Sequence, residues 1–352
     1  MKQAGQAEQE DSTGADGFLR VGQDSTAAAG AAGATDAGGQ AAQAQDVQAQ
    51  GMPGSSPAAG SSTAGGPAAG SPAAAGQNPA EAKKKSELKT RVRTGVVYFL
   101  VSTVCVVASK WTTLLLMAVT AGISAYEYCN ILRADGKLPN RALTVVAAVC
   151  YPVAVFFWDW NGAIAVSLIF LLALLIWYVF WLHARITDVA LSFFGATFTG
   201  LLLCGIVLIR CQASGIWGGV LVFCVLLSVW ANDACAYFFG SRFGKHKLAP
   251  KISPKKTWEG LVAGLVASVV IWCVIPFIPG VEMKFWQAAL FGLLCGVVGV
   301  LGDLTVSRIK RNSGVKDSGT ILPGHGGMLD RTDSTFLVSV FAALLLIGTG
   351  CI

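Results

Sequence analysis

One apolar run ends in a stretch of polar side chains. Asp303, Ser307, Lys310 and Arg311 stand at i, i+4, i+7 and i+8 and share one face if the run is helical. A carboxylate placed about two turns inside the last cation is costly in a membrane unless it is paired or holds a metal. Such a face suits phosphate chemistry, in which carboxylates hold a hard divalent cation and Lys or Arg neutralises phosphate oxygens. The plainer alternative is a structural ion pair between Asp303 and Lys310 or Arg311. Further on, Asp330, Asp333 and Ser334 stand at i, i+3 and i+4 at the start of the next apolar run, where acids also serve as helix caps. The intervening loop, Lys316 to Gly327, carries Asp317 and a histidine, His325, with glycines on both sides of it and Gly326-Gly327 following. Glycines there let backbone amides approach an oxyanion, and the ring is placed to bond phosphate or move a proton. His183 and His246 have no such setting.

A second basic segment reads Leu248-Ala249-Pro250-Lys251-Ile252-Ser253-Pro254-Lys255-Lys256-Thr257-Trp258-Glu259-Gly260. Ser253-Pro254 predicts a helix start with the serine as N-cap, which puts Lys255 and Lys256 in the first turn. The helix dipole disfavours cations there unless an anion docks, so the pair reads as a phosphate site or, more simply, as a membrane anchor. Asp233, Glu259, Asp303, Asp317, Asp330 and Asp333 all belong to two segments, 233–260 and 302–334, which also hold the most basic loops.

The elements that must position these groups are membrane helices. The chain is 54% hydrophobic and 13% charged, with a mean hydropathy of +0.59, and an ordinary soluble domain is excluded. Its apolar runs, 17 to 24 residues long by the boundaries given below, suit crossings of a core about 30 Å thick. The fold predicted is an all-α polytopic membrane protein of about nine transmembrane helices, at 92–109, 111–130, 142–158, 162–182, 188–209, 216–239, 259–278, 286–307 and 333–351, preceded by a tail. Residues 1–82 are built of Ala, Gly, Gln, Ser and Pro, too few branched or aromatic side chains to offset the entropy of ordering, and are expected to be disordered. The transmembrane domain is residues 83–352. There 24 basic residues face 12 acidic ones, which fits phospholipid headgroups and nucleotides as partners. Nothing reads as a nucleic-acid-binding element. The cysteines lie in apolar runs without a CxxC pair and read as small buried hydrophobes.

Ser307-Arg308-Ile309-Lys310-Arg311, then Lys316-Asp317, then His325-Gly326-Gly327-Met328-Leu329-Asp330-Arg331-Thr332-Asp333 together resemble the signature of the phosphatidate cytidylyltransferases, or CDP-diacylglycerol synthases. Asp233, Ala236-Tyr237 and the run from Lys247 to Gly260 resemble the segment that precedes it, with a departure at Ala234, where many relatives carry a hydroxyl. The resemblance is dense over 230–334 and centres on 302–334. It implies transfer of the cytidylyl group of CTP to phosphatidate, with Mg²⁺ and with a homodimer as the assembly. It implies catalytic groups at Asp303, Asp330, His325 and Lys316. Metal binding is implied at Asp303 and Asp330, with a second cation near Asp333. Substrate contacts are implied at Lys255, Lys256, Ser307, Lys310, Arg311, Arg331, Gly326, Gly327 and Asp233. A lipid-alcohol kinase using CTP and a transporter are the rival readings.

With the run Lys83 to Arg93 in the cytoplasm, nine spans place 21 Lys and Arg inside and only Lys110, Arg210 and Lys284 outside. The expected location is therefore the cell membrane with the site facing the cytoplasm. On a cysteine-free background, Gly280→Cys reacts with an impermeant thiol reagent added outside and Gly244→Cys does not. The opposite labelling pattern refutes this orientation.

Overall fold

The computed structural model describes residues 79–213, 215–319, 321 and 326–352, with side chains from residue 93 onward. The expectation of a disordered tail falls outside the described residues as far as position 78, while 79–82 belong to the first helix.

Apolar sequence and local caps together set the elements. The chain runs through α1 (Pro79–Ala108), α2 (Lys110–Ala134), α3 (Arg141–Phe180), α4 (Ile186–Thr199), a short 3-10 turn, α5 (Cys204–Gln212) and α6 (Gly215–Phe243). A hairpin of β1 (Lys247–Ala249) and β2 (Ser253–Thr257) follows, then α7 (Trp258–Trp272), α8 (Phe285–Asn312) and α9 (Leu329–Gly348). Side chains mark the starts: Ser109 accepts the Trp111 N–H at 3.2 Å, Asn140 the Leu143 N–H at 3.1 Å and Thr257 the Gly260 N–H at 3.2 Å. The protein is a helical, multi-pass membrane protein, and large apolar side chains such as Leu168, Ile169 and Val179 point outward where lipid would lie.

Among the described residues, seven segments are long and apolar enough to cross a membrane, where nine were expected. The difference lies in α1 and α3. The apolar part of α1, Arg93–Ala108, is a short continuation of a helix that begins in basic residues. The segments expected at 142–158 and 162–182 fall within α3, which breaks at Trp158 and at Asp159, the latter with φ of 48°. With ψ of −140° this is a positive-φ conformation that side-chain-bearing residues rarely adopt. The break reverses the chain, because the Tyr151 and Ser167 hydroxyls meet at 2.9 Å, whereas sixteen residues of straight helix would span about 24 Å.

The predicted helix start at Ser253-Pro254 is also corrected. Residues 253–257 form β2, antiparallel to β1, and the helix begins after Thr257, so Lys255 and Lys256 lie on an extended strand. Proline at a strand's second residue leaves the ladder intact at a two-stranded edge, and the β-branched Thr257 takes the extended N-cap conformation. The hairpin is tied to α7 by His246, whose Nδ1 lies 2.7 Å from Glu259 Oε1.

Small residues let the helices that carry the polar groups approach closely. A Cβ at Gly260 of α7 would stand 2.6 Å from the Ala236 carbonyl of α6, and one at Gly302 of α8 would stand 2.5 Å from the Asp333 carbonyl of α9. Elsewhere Ser339 of α9 repairs the break between α4 and α5, accepting the Ile206 N–H at 2.8 Å and donating to the Leu203 carbonyl at 3.1 Å. Replacing Gly302 by leucine forces α8 from α9 at the level of Asp303 and Asp333. We expect a loss of about 1–3 kcal/mol, read as a lower thermal midpoint in detergent, and a fall in activity larger than that of Gly348→Leu at the far end of α9.

Candidate active site

Three carboxyl groups from three helices converge near one end of the bundle. Asp303 of α8 and Asp333 of α9 are in contact, and Asp233 of α6 lies within electrostatic reach of both. Lys256, from β2, forms an ion pair with Asp303, and Ser307 one turn on donates to Asp303 Oδ1 at 3.2 Å. The i, i+4 relation read from the sequence thus holds for Asp303 and Ser307. The partner of Asp303 is Lys256 rather than Lys310 or Arg311.

Lys310 pairs instead with Asp330. The other oxygen of Asp330 accepts the Ser318 N–H at 2.8 Å, the Ser318 hydroxyl at 2.9 Å and the Gly327 N–H at 3.4 Å. Asp330 is thus held by Lys310 and by loop donors, and the carboxyl group that Asp303 meets is that of Asp333. The two ion pairs also differ in access. Side chains of Lys310 and Asp330 are 12% and 9% exposed, whereas Lys256 and Asp303 are each 24% exposed. A ligand can compete for the second pair, while the first clamps α8 to the start of α9.

Two cavities meet at Asp233. One, of about 500 Å³, is lined by Lys247, Lys255, Lys256, Tyr237, Asp233 and Asp303. The other, of about 290 Å³, is lined by Tyr98, Phe99, Trp230, Arg331, Asp330 and Asp333. The β-hairpin therefore does what a helix start was expected to do, by presenting its lysines to an anion-sized space. Arg311 and Lys316 are exposed at the same end. His325 lies outside the described residues.

Sequence reasoning missed Glu127. It sits in α2, 2% exposed, where Oε1 accepts the Met328 N–H at 3.1 Å and Oε2 accepts the Leu329 N–H at 2.9 Å. Those are free amides at the start of α9, whose N-cap residue Met328 supplies no side-chain cap. The Ser318 hydroxyl lies between two carboxylates, 3.1 Å from Glu127 Oε2 and 2.9 Å from Asp330 Oδ2. A Cβ on Gly327 would collide with both Glu127 and Ser318, and one on Gly319 would stand 2.6 Å from Glu127 Oε1. Gly327 thus lies against two of the protein's own carboxylates, Glu127 and Asp330. Gly326, with φ of 85°, turns the chain beside Asp330. An isolated acid in an apolar span was the available signal.

The pattern of the cytidylyltransferase family matches residues 89–347, which include every group just described. The chain belongs to the cytidylyltransferase family. A phosphatidate cytidylyltransferase of Bacillus subtilis is 30% identical over 263 residues, 74% of this chain and 98% of that protein. Phosphatidate cytidylyltransferases of Staphylococcus haemolyticus and Staphylococcus aureus are 48% and 47% identical over 121 residues, 34% of this chain. The chain spans just under half the length of these staphylococcal relatives, 46% in each case.

In this family member, Glu127→Ala orphans two buried amides and a hydroxyl, with an expected loss of about 2 kcal/mol or more. Glu127→Gln keeps the shape but turns an amide donor toward N–H groups and is expected to recover only part of it. Thermal unfolding of the two variants beside Ser318→Ala, which removes a single donor and is expected to be milder, checks the ranking.

Proposed function

We propose that the chain transfers the cytidylyl group of CTP to phosphatidate. A phosphatidate phosphate oxygen attacks the α-phosphorus, the bond from that phosphorus to the α,β-bridging oxygen breaks, and pyrophosphate leaves as CDP-diacylglycerol forms. The observation that carries this reading is the accessible Lys256–Asp303 pair at the junction of two cavities, with Asp233 and Asp333 alongside. The family match and the names of the relatives support it.

Both substrates are polyanions, so charge neutralisation dominates the barrier. Lys247, Lys255 and Lys256 give the larger cavity the charge a triphosphate needs. Arg331 gives the smaller one a cation beside the aromatic rings of Tyr98, Phe99 and Trp230, which suits the phosphate and glycerol end of a lipid. Arg311 and Lys316 stand ready at the rim, and His325 is assigned to phosphate binding or proton movement. When phosphate displaces Lys256 from Asp303, the lysine turns to the phosphate and the carboxyl cluster is left short of positive charge.

That deficit fits Mg²⁺. Mg²⁺ takes one or two carboxylates and completes its shell with phosphate and water. Asp303 and Asp333 are the ligands we assign, with a second cation in reach of Asp233; Asp330 would join only after releasing Lys310. Bound Mg²⁺ would neutralise phosphate oxygens and charge on the departing pyrophosphate. A homodimer in the cell membrane with the site facing the cytoplasm completes the proposal.

The decisive measurement is pyrophosphate release from CTP upon addition of phosphatidate to purified protein with Mg²⁺. A lipid kinase would release CDP, and a transporter would turn over neither. Asp303→Asn is expected to lower CDP-diacylglycerol formation at least about a hundredfold, the scale of one lost electrostatic contact in a transition state. A folded Asp303→Asn variant that retains more than about a tenth of the activity refutes its role.

A further inference from the structure

At the opposite end of the bundle, the turns between α1 and α2 and between α5 and α6 enclose a cavity of about 560 Å³. Gly215 lines it, and eighteen residues separate Gly215 from Asp233 along α6, about 27 Å of helix. It is thus remote from the carboxyl cluster. Its lining carries two cations, Lys110 and Arg210, together with Ser109 at the start of α2 and Gly215 and Ile216 at the start of α6. The starts of α2 and α6 present amides and positive dipole ends to this space and the ends of α1 and α5 present negative ones, so its net positive charge comes from Lys110 and Arg210.

Arg210 is the informative residue. It is 7% exposed, yet no carboxylate among the described residues lies within 4 Å of it or of Lys110. Its hydrogen bond is from Nε to the Val106 carbonyl at 3.4 Å, which leaves the four N–H donors of its terminal nitrogens for whatever enters the cavity. Asp159 is close enough to act on Cys211 but is itself exposed and pairs with neither cation. Lys110 rests over the Phe156 ring, 5.7 Å from its centroid. A guanidinium serving only as a membrane anchor would extend to water. Arg210 is held in the last turn of α5 against the Val106 carbonyl, and its planar fork of terminal donors matches phosphate oxygens two at a time. Two of the three cations that the charge distribution assigns to the outer side therefore converge on this one space.

We propose that this cavity binds a phosphate group at the membrane face opposite the carboxyl cluster, supplied by an anionic phospholipid headgroup or by free phosphate. The site is independent of the cytidylyl-transfer reading.

Full-length protein in an uncharged detergent would be offered phosphatidylglycerol, phosphatidylcholine with the same acyl chains, or inorganic phosphate. Lipid retention is read by native mass spectrometry and phosphate binding by the rise in thermal midpoint. The wild-type protein is expected to retain one more phosphatidylglycerol per chain than Lys110→Gln or Arg210→Met, with no such difference for phosphatidylcholine; that result assigns a lipid headgroup. Stabilisation by phosphate alone, lost in the same variants, assigns free phosphate. Lys110→Glu changes an exposed residue, places a carboxylate beside Arg210 and is expected to abolish either form of binding, so the test survives if Arg210→Met fails to fold. Equal lipid retention and equal phosphate response in the wild type, Lys110→Gln and Lys110→Glu overturn the proposal.

Discussion

A carboxylate buried in a membrane helix must be met by donors, and Glu127 meets its requirement with the first amides of α9. Much of the site follows from that demand. The amides fix where α9 begins, Ser318 is drawn between Glu127 and Asp330, and the loop residues nearest the carboxylate have to be glycine. Once the start of α9 is fixed, Asp330 takes the loop amides and Lys310, and Asp333, one turn later, faces Asp303. A chain of hydrogen bonds beginning in α2 therefore sets the spacing of carboxyl groups on α8 and α9.

Close helix packing supplies the other half of the geometry. Without a hydrophobic effect between helices in lipid, contact rests on van der Waals fit, and small residues at Gly260 and Gly302 bring backbones together where the carboxyl groups sit. The result is a cluster of carboxyl groups set among cations. Lys310 is closed off against Asp330 and acts as a clamp, whereas Lys256 is open to a cavity and can exchange one anion for another. The same kind of residue in the same region thus has two roles, separated by access to solvent.

The breaks in the helices are placed with equal economy. Asp159 reverses α3, and Ser339 completes backbone hydrogen bonds where α4 gives way to α5. Positive potential is concentrated at both ends of the bundle. At one end it faces carboxyl groups, and at the other no carboxylate among the described residues lies within 4 Å of Arg210.

Composition and hydropathy determined the membrane class, the helical fold and the approximate position of the crossings, because a bilayer of nearly constant thickness imposes run length directly. Helical spacing was also enough to place Ser307 against Asp303, since that contact is local to one turn. The signature residues identified the family and located the polar end of the bundle. Only the tertiary structure decided which carboxylate meets which cation. Asp303 with Lys256, Asp330 with Lys310 and Glu127 with the start of α9 join residues 47, 20 and up to 202 positions apart, and no periodicity encodes such separations. It likewise decided that Lys255 and Lys256 lie on a strand, because the choice between a helix start at Ser253 and one at Thr257 depends on pairing with β1 and on the hold of His246 on Glu259. Local propensity leaves both starts open, and packing selects one.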